Sequence, residues 1–334
     1  MAAESKGRVC VTGGTGFIGS WTIKTLLQDG YYVNTTVRSH PEHKKDVSFL
    51  TNLPGASRRL QILNADLSEP ESFKEAIEGC IGVFHVATPM DFEESEPEEI
   101  VTKRSIDGAL GILKACLNSK TVKRVVYTSS SSAVSSIAIE DEVKDESSWT
   151  DVDLLRTFKA IGRSYAISKT LTEKAVLEFG EQNGLDVVTV IPTFVVGPFI
   201  CPKLPGSVGS TLYFLFGKNS HPFSFLQAPM VHVDDVARAH IFLLEHPNPK
   251  GRYNCSACLA TIEKVLETVS AKYPEFQMPT IDALKESTGG LKLPDLSSKK
   301  LIDAGFQFKY GLEEMLTDAI ESCKEKGFFN RATI

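Results

Sequence analysis

Residues 8–38, RVCVTGGTGFIGSWTIKTLLQDGYYVNTTVR, decide how this chain folds. The stretch begins with a short apolar run at residues 9–11, passes through spaced glycines and continues with apolar residues at helical spacing as far as Gly30. Residues 32–37 then alternate and are rich in β-branched side chains, as strands are. The order predicts a strand, a glycine turn, a helix and a second strand, which is how a dinucleotide-binding unit opens.

The glycines fit two overlapping templates, Gly14-x-Gly16-x-x-Gly19 and Gly13-x-x-Gly16-x-x-Gly19. In such a turn one glycine permits the sharp change of direction, another lets the backbone approach a pyrophosphate, and a third lets the helix pack closely on the strand. The N-terminus of the following helix offers unpaired N–H groups and a positive dipole to the phosphates.

Arg38 stands at the end of the second predicted strand, where an NAD-binding chain usually has Asp or Glu for the ribose hydroxyls. A guanidinium can bind a 2′-phosphate through two parallel hydrogen bonds, whereas a carboxylate would repel it. Lys44 and Lys45 follow in a loop and add positive charge. The sequence therefore predicts NADPH, with a solvated surface arginine as the alternative interpretation of Arg38.

Composition bounds the remaining possibilities. The chain has 334 residues, 42% hydrophobic and 23% charged, with a formal net charge of −6. Dispersed basic residues and a negative balance argue against nucleic acid as a partner. The seven cysteines are scattered, and the single CxxC at Cys255 and Cys258 lacks further ligands, so neither a disulfide framework nor a metal site is expected. The first apolar run is too short for a signal sequence or membrane span, which predicts a cytoplasmic protein.

Four more apolar runs alternate with helical segments and predict a doubly wound parallel sheet, an α/β fold. They are residues 60–66, 82–87, 124–128 and 186–191. Asp66, at the end of the first of these runs, suits either the adenine amine or simple turn chemistry with Ser68 capping the next helix. The backbone that follows residue 85 should pass beside the cofactor, while His85 itself fits a core histidine.

Prolines and phenylalanines become frequent after Gly197, which predicts two domains. Residues 1–197 form the NADPH-binding Rossmann domain, and residues 198–334 form a smaller substrate-binding lobe from which some segments return to the first domain. Aromatic residues of the lobe are available to line an apolar pocket or to fill its core. These are Phe199, Phe214, Phe216, Phe223 and Phe225. A short strand near residue 230 leads to a helix for which Asp234 is the predicted N-cap.

Tyr165 and Lys169 lie four residues apart in a long predicted helix and so share one face. A phenol with a pKa of about 10 is a poor acid or base at neutral pH. A neighbouring ammonium would lower that pKa toward the working range. The fifth strand ends in Thr128-Ser129-Ser130, whose hydroxyls can donate to a carbonyl oxygen.

TGGTGFIG, the strand-end Arg38, YTSSS and the Tyr165-Ala-Ile-Ser-Lys169 motif together resemble the extended short-chain dehydrogenases/reductases of plants in the dihydroflavonol 4-reductase group. PTFVVGPFICP and MVHVDDVARAHIFLLE extend the likeness through the second lobe. Within the group, runs such as VSFLTNLPGAS and SKTLTEKAVLEFGEQNG are most similar to the isoflavonoid ketone reductases.

The resemblance implies Ser130, Tyr165 and Lys169 as the catalytic residues, although Ser129 and Ser131 stay open from sequence alone. It implies that backbone at the glycine turn binds the phosphates and that Arg38 and Lys45 bind the 2′-phosphate. The full set of implied cofactor-binding residues is Gly13, Gly16, Phe17, Ile18, Gly19, Arg38, Lys45, Asp66, Leu67, Val86, Ala87, Thr88, Ser129, Tyr165, Lys169, Pro192, Thr193, Val195 and Ser207.

Two departures bear on the substrate. Dihydroflavonol reductases have an asparagine where this chain has Ser135, which weakens a dihydroflavonol and is compatible with an isoflavanone. Residues 163–169, RSYAISK, do not match the distinctive motif of cinnamoyl-CoA reductases around the tyrosine.

The expected function is NADPH-dependent reduction of a flat aromatic ketone in flavonoid or isoflavonoid metabolism, by a monomer or weak homo-oligomer. Dihydroflavonol 4-reductase or anthocyanidin reductase activity is the alternative. Sugar-nucleotide epimerases share the turn and the Tyr/Lys pair, but they usually retain NAD, against which Arg38 argues. A non-catalytic NADPH sensor would typically have lost Tyr165 or Lys169.

Overall fold

The structure is a computed structural model that describes residues 6–38, 46–89, 96–135, 143–157, 162–216, 225–288 and 292–329. Seven parallel strands in the order β3-β2-β1-β4-β5-β6-β9 form its main sheet. These strands are β1 (Arg8–Thr12), β2 (Tyr32–Val37), β3 (Leu60–Asn64), β4 (Gly82–His85), β5 (Arg124–Thr128), β6 (Val187–Pro192) and β9 (Gly251–Cys255). The predicted doubly wound α/β fold is confirmed.

A second, three-stranded sheet has the order β10-β8-β7. Its strands are β7 (Phe194–Val196), β8 (Gln227–His232) and β10 (Cys258–Thr261). β7 runs parallel to β8, and β10 runs antiparallel to it.

The helices connect the strands and cover both faces of the main sheet. They are α1 (Phe17–Gln28), α2 (Ser48–Thr51), α3 (Ala56–Arg59), α4 (Lys74–Ile77), α5 (Glu98–Ser119), α6 (Val152–Thr157), α7 (Arg163–Asn183), α8 (Gly206–Thr211), α9 (Val233–Glu245), α10 (Ile262–Lys272), α11 (Ile281–Thr288), α12 (Lys299–Asp303) and α13 (Leu312–Glu325). Short 3₁₀ turns occur at Pro70–Phe73, Ser131–Ala133 and Tyr213–Leu215. No described helix is long and apolar enough to cross a membrane.

The central strands β1, β4, β5 and β6 are almost fully buried and mostly apolar, because both faces of the sheet are covered. Val9 and Val11 of β1 pack with α1 and α9, whereas Cys10 between them faces the opposite side and packs with α5. Val126 and Tyr127 of β5 divide in the same way. This period of two places each helix pair on its own face of the sheet.

β9 lies at the edge of the main sheet beside β6, although it follows residue 197 in the chain. α9 also returns, since its Asp234 accepts a hydrogen bond from Trp21 Nε1 of α1 at 2.9 Å. A separate apolar cluster fills the second lobe between α8, α10, α13 and the small sheet. The division into domains at residue 197 stays a prediction.

Two predicted helix caps were wrong. α9 begins two residues earlier than expected, with His232 as its N-cap, because the Nδ1 atom of His232 accepts the Asp234 N–H at 3.1 Å. The Asp234 carboxylate is instead bound by Trp21 and Arg238. Ser68 likewise caps no helix, since its N–H and hydroxyl both donate to Asp66.

Candidate active site

The carboxyl ends of β1, β4, β5 and β6 lie along one edge of the main sheet, because all four strands are parallel. The connections reverse direction at this edge between β1 and β4, the position where open α/β sheets bind their ligands. The glycine turn, the Val86–Thr88 backbone, the serines after β5 and the residues after β6 all belong to this edge. Here the chain brings most of the predicted site residues together.

The glycine turn leaves no room for a side chain at Gly13 or Gly19. Gly13 has φ +73°, and a Cβ atom added there would lie 2.9 Å from the Cα of Ala87. A Cβ at Gly19 would collide with the carbonyl oxygen of Gly13. α1 begins at Phe17 with Gly16 as its N-cap and no capping side chain, so its first-turn N–H groups keep their capacity for an anion. This cradle fits the pyrophosphate of a dinucleotide.

Thr12 couples the glycine turn to the end of β4. Its Oγ1 accepts the N–H groups of Val86 and Ala87, each at 3.1 Å, and lies 2.9 Å from Nδ1 of His85. Since two N–H groups already donate to this oxygen, its own proton is the one available to His85. Burial, followed by the charge of Lys169, lowers the pKa of His85 to about 3, so the ring is neutral. The prediction of a core histidine is confirmed.

Arg38 follows β2 directly and its side chain is exposed. Asp66 accepts from the N–H of Ser68 at 2.9 Å and from its hydroxyl at 2.7 Å, which is the turn chemistry that the sequence left open. Burial acts to raise the pKa of Asp66, but the Ser68 hydrogen bonds and the charges of Arg38 and Arg104 bring it below its usual range. An adenine contact of Asp66 or of the partly buried Leu67 stays a prediction, and Lys45 lies outside the described residues.

The three hydroxyls at the end of β5 have three different partners. Thr128 Oγ1 lies 2.7 Å from Nε2 of His240, and Ser129 donates to Glu173 at 2.7 Å. Only Ser130 is hydrogen-bonded to Tyr165. The expectation that the Thr128 and Ser129 hydroxyls also donate to a substrate carbonyl was therefore wrong, because buried partners already occupy them.

Tyr165 lies near the start of α7, one turn before Lys169, and is partly buried. Burial raises the pKa of Tyr165, and the hydrogen bond with Ser130 opposes that rise. The direction is the reverse of the lowering expected from sequence, because desolvation outweighs the effect of the Ser130 hydrogen bond. The phenol is consequently protonated at neutral pH, which is the form that a proton donor needs.

Lys169 is buried, and its ammonium lies against the end of β5. Its Nζ donates to the Thr128 carbonyl oxygen at 2.7 Å and to Thr88 Oγ1 at 3.1 Å, and it lies 3.5 Å from the Tyr127 hydroxyl. Burial lowers the pKa of Lys169 to about 7, although the charge of Glu173 raises it. The side chain is thus fixed in place and titrates near neutral pH.

The segment after β6 completes the edge. Pro192 ends β6, and the N–H of the buried Thr193 donates to the Cys255 carbonyl at 3.2 Å. Ser207, at the start of α8, donates to the carbonyl oxygen of Val195 at 2.6 Å. These residues are held beside the site, and their contact with a cofactor stays a prediction.

The aromatic residues of the second lobe divide between core and surface. Phe199 and Phe225 are buried, whereas Phe214 and Phe216 are only partly buried. The rings of Phe194 and Phe225 pack edge to face at 4.4 Å. Phe223 lies outside the described residues.

Sequence reasoning missed Glu173 and Arg252, a buried ion pair behind the serines. A signal for Glu173 was present, since Tyr165, Lys169 and Glu173 repeat every four residues along one face of α7. Arg252 carried none, because nothing in the residues around it distinguishes a buried arginine from an exposed one.

Comparisons with known proteins agree with this architecture. Residues 9–256 match the NAD dependent epimerase/dehydratase family. Vestitone reductase of Medicago sativa is 64% identical over 98% of this chain and 99% of its own length. Its crystal structure superposes with a TM-score of 0.87 at 61% identity, covering 97% of this chain and 100% of that chain. A dihydroflavonol 4-reductase of Callistephus chinensis is 47% identical over 100% of this chain and 91% of its own length.

The residues on which the predicted resemblance rested, from the glycine turn through Arg38 and YTSSS to Tyr165 and Lys169, thus lie in a chain that aligns with such reductases over nearly its whole length. The chain belongs to the NAD dependent epimerase/dehydratase family and, within it, to the dihydroflavonol 4-reductase-like extended short-chain dehydrogenases/reductases that include vestitone reductase.

Proposed function

We propose that this protein is an NADPH-dependent oxidoreductase that reduces the ketone of a flavonoid- or isoflavonoid-type substrate to an alcohol. The observation that carries the proposal is the meeting of Ser130, Tyr165 and Lys169 beside the glycine turn, at the carboxyl edge of the sheet. The 64% identity to vestitone reductase supports an isoflavonoid-type ketone.

The bound NADPH supplies a hydride. The residues that would hold it are the turn from Gly13 to Gly19, Arg38 and Lys45 for the 2′-phosphate, and the strand-end residues already described. The exposed Arg38 guanidinium, next to β2, favours the phosphorylated coenzyme, since it can bind a 2′-phosphate through two charge-assisted hydrogen bonds.

The chain's own groups manage the charge that develops on the substrate oxygen. Ser130 hydrogen-bonds this oxygen, and Tyr165 donates a proton to it. The Ser132 N–H donates to Ser130 Oγ at 3.2 Å, which helps to orient the hydroxyl. As the proton leaves Tyr165, the Lys169 charge one turn away favours the phenolate more than the neutral phenol. The Lys169 charge therefore stabilises the phenolate that forms during the reaction, and it does not make the resting Tyr165 phenol acidic.

Dihydroflavonol 4-reductase activity is a second candidate, favoured by relatives such as the Callistephus chinensis enzyme. Ser135, which is partly exposed and follows the serines after β5, stands where those enzymes have asparagine. We therefore propose an isoflavanone as the preferred substrate, with a dihydroflavonol as the second candidate. We further propose that the protein acts in the cytoplasm as a monomer or weak homo-oligomer.

The test is a coenzyme-oxidation assay with isoflavanones, dihydroflavonols, anthocyanidins and simple aryl ketones under one set of conditions. We expect NADPH to be oxidised well ahead of NADH, and isoflavanone-type ketones to give the highest kcat/KM. Preference for NADH, or turnover confined to sugar nucleotides, would overturn the proposal.

A further inference from the structure

Glu173 and Arg252 form an ion pair that is almost completely shielded from water. The side chains are 0% and 7% exposed, respectively, and Arg252 Nε lies 3.0 Å from Glu173 Oε1. Removing two charges from water is costly, and well-packed apolar residues in the place of a buried ion pair often give equal stability. Stability alone therefore does not explain this ion pair, and its hydrogen bonds indicate a further role.

The Glu173 carboxylate accepts hydrogen bonds from residues in or directly after three strands. Ser129 after β5 donates to Oε2 at 2.7 Å, and Thr189 of β6 donates to Oε1 at 2.6 Å. Arg252 of β9 adds Nε to Oε1 and Nη2 to Oε2, the second at 3.2 Å. The carboxylate thereby holds α7, which carries Tyr165 and Lys169, against the residue that precedes Ser130.

Arg252 holds the other end of the serine turn, by which we mean residues 129–133. Its Nη2 donates to the Ala133 carbonyl at 3.4 Å. Its Nη1 donates to the carbonyl oxygens of Glu146 and Ser148 at 2.8 and 2.5 Å, and the guanidinium lies 3.5 Å from the centre of the Trp149 ring. Thr150, on the same segment, donates to the Ser132 carbonyl at 2.6 Å.

The pair also adjoins Lys169. Glu173 is one turn further along the same buried face of α7, and Thr128, whose carbonyl accepts from Lys169, directly precedes Ser129. The titratable groups around Lys169 are Tyr165 and Glu173 on α7, Tyr127 on β5 and His85 on β4. The Glu173 charge raises the pKa of Lys169 against the larger effect of burial.

We propose that Glu173 and Arg252 are positioning residues of the reaction, which hold the serine turn at both ends so that the Ser130 hydroxyl meets Tyr165. This assignment rests on the proposed function, because it gives the pair a task in ketone reduction. Neither residue touches the reacting atoms.

The test compares Glu173→Gln and Arg252→Lys with Asp186→Asn. Asp186 pairs with Arg124 at 2.7 Å at the opposite, amino end of the same sheet, so its variant loses an ion pair without touching the site.

In Glu173→Gln we expect kcat to fall by about ten- to a hundredfold, with the KM for NADPH changed less than about twofold. The pH at which the activity of Glu173→Gln declines on the alkaline side should be lower than in wild type. The reason is that the Glu173 charge, which raises the pKa of Lys169, is absent from this variant. Arg252→Lys should lower kcat without that shift, since Glu173 stays charged.

Hydrogen exchange provides a readout that does not depend on turnover. Amides in residues 129–134 should exchange faster in Glu173→Gln than in wild type, and should be unchanged in Asp186→Asn. If wild type reduces no ketone, the proposed function fails while the exchange result still decides whether the pair positions the turn. Should Glu173→Gln not fold, Ser129→Ala removes one hydrogen bond between the pair and the turn, and it is judged by kcat and hydrogen exchange, because Glu173 keeps its charge. Wild-type kcat, pH profile and exchange in the folded variants would overturn the proposal.

Discussion

The Ser130 and Tyr165 side chains are hydrogen-bonded to each other, across the junction between the turn after β5 and the first turn of α7. The two neighbouring hydroxyls, of Thr128 and Ser129, point into the protein toward His240 and Glu173. The structure thus separates one hydroxyl that faces the phenol from two that hold the scaffold.

Replacing Tyr165 with Phe should remove most of the catalytic activity, because the proton donor is lost while the ring is retained. We expect kcat to fall by about 10²- to 10⁴-fold with NADPH affinity nearly unchanged. Steady-state kinetics and coenzyme titration measure the two quantities. Tyr31→Phe is the control, since its hydroxyl bonds Glu245 far from the site. Full turnover by Tyr165→Phe would refute the assignment.

Ser130→Ala should lower kcat by about 10- to 10³-fold, because a donor to the developing oxyanion disappears. Ser131→Ala changes the next hydroxyl of the same turn and should leave kcat within about twofold of wild type by the same reasoning. Parallel kinetics on the two variants decide which serine acts. A larger loss in Ser131→Ala would move the role to that residue.

Arg38→Glu should reverse the coenzyme preference. Charge-assisted hydrogen bonds contribute about 1.5–3 kcal/mol, so the KM for NADPH should rise by about ten- to a hundredfold, while that for NADH changes little. The matched control is Arg58→Glu, which makes the same charge change at an exposed residue of α3. Equal effects of the two variants would mean that Arg38 acts only through net charge.

The buried Lys169 makes stability depend on pH. The pKa of Lys169 is about 7 in the folded protein and near the ordinary lysine value of 10.5 in the unfolded chain. Between these values the unfolded chain binds more protons, so the contribution of Lys169 becomes more favourable as pH rises, by up to about 1.4 kcal/mol per pH unit. Denaturant unfolding at several pH values should show the free energy of unfolding of wild type increasing relative to that of Lys169→Met as the pH rises from about 7 to about 10.5. Lys114→Met, at an exposed position of α5, should show no such trend.

Gly19→Ala should weaken NADPH binding by about tenfold or more and cost about 1–3 kcal/mol of stability, because the new methyl group would collide with the Gly13 carbonyl. Gly206→Ala, at the start of α8, is the control, since a Cβ there meets nothing within 4 Å. Coenzyme titration and thermal unfolding test both variants. A Gly19→Ala protein that binds NADPH normally would show that the turn can open.

Much of the fold could be predicted because the first half of the chain alternates between two clear periodicities. Residues 32–37 and 124–128 were predicted as strands with the bounds of β2 and β5. β9 was missed, since Gly251–Cys255 contains Arg and Asn, which a sequence pattern assigns to the surface. The donor groups of these two side chains find acceptors in the interior, in Glu173, in the carbonyl oxygens of Glu146 and Ser148, and in the carbonyl oxygen of Ser297.

The site could be predicted as a set of residues but not as a set of contacts. The spacing of Tyr165 and Lys169 predicts that they lie on one face of a helix, and in the structure both lie in α7, one turn apart. The partners of Thr128, Ser129 and Ser130 depend on side chains from α7 and α9, far away in the chain. The rise in the Tyr165 pKa could not be predicted either, because desolvation depends on how the folded chain packs around the phenol.

The return of β9 to the main sheet has a consequence for anyone who would cut or recombine this protein. A fragment ending at residue 197 would leave β6 with an open flank and Glu173 without its arginine. Grafting a relative's substrate lobe onto this coenzyme-binding half would therefore need at least two junctions, one before and one after the Gly251–Cys255 strand. The predicted coenzyme-binding and substrate-binding regions are interleaved along the chain, so they would have to be exchanged as interleaved pieces.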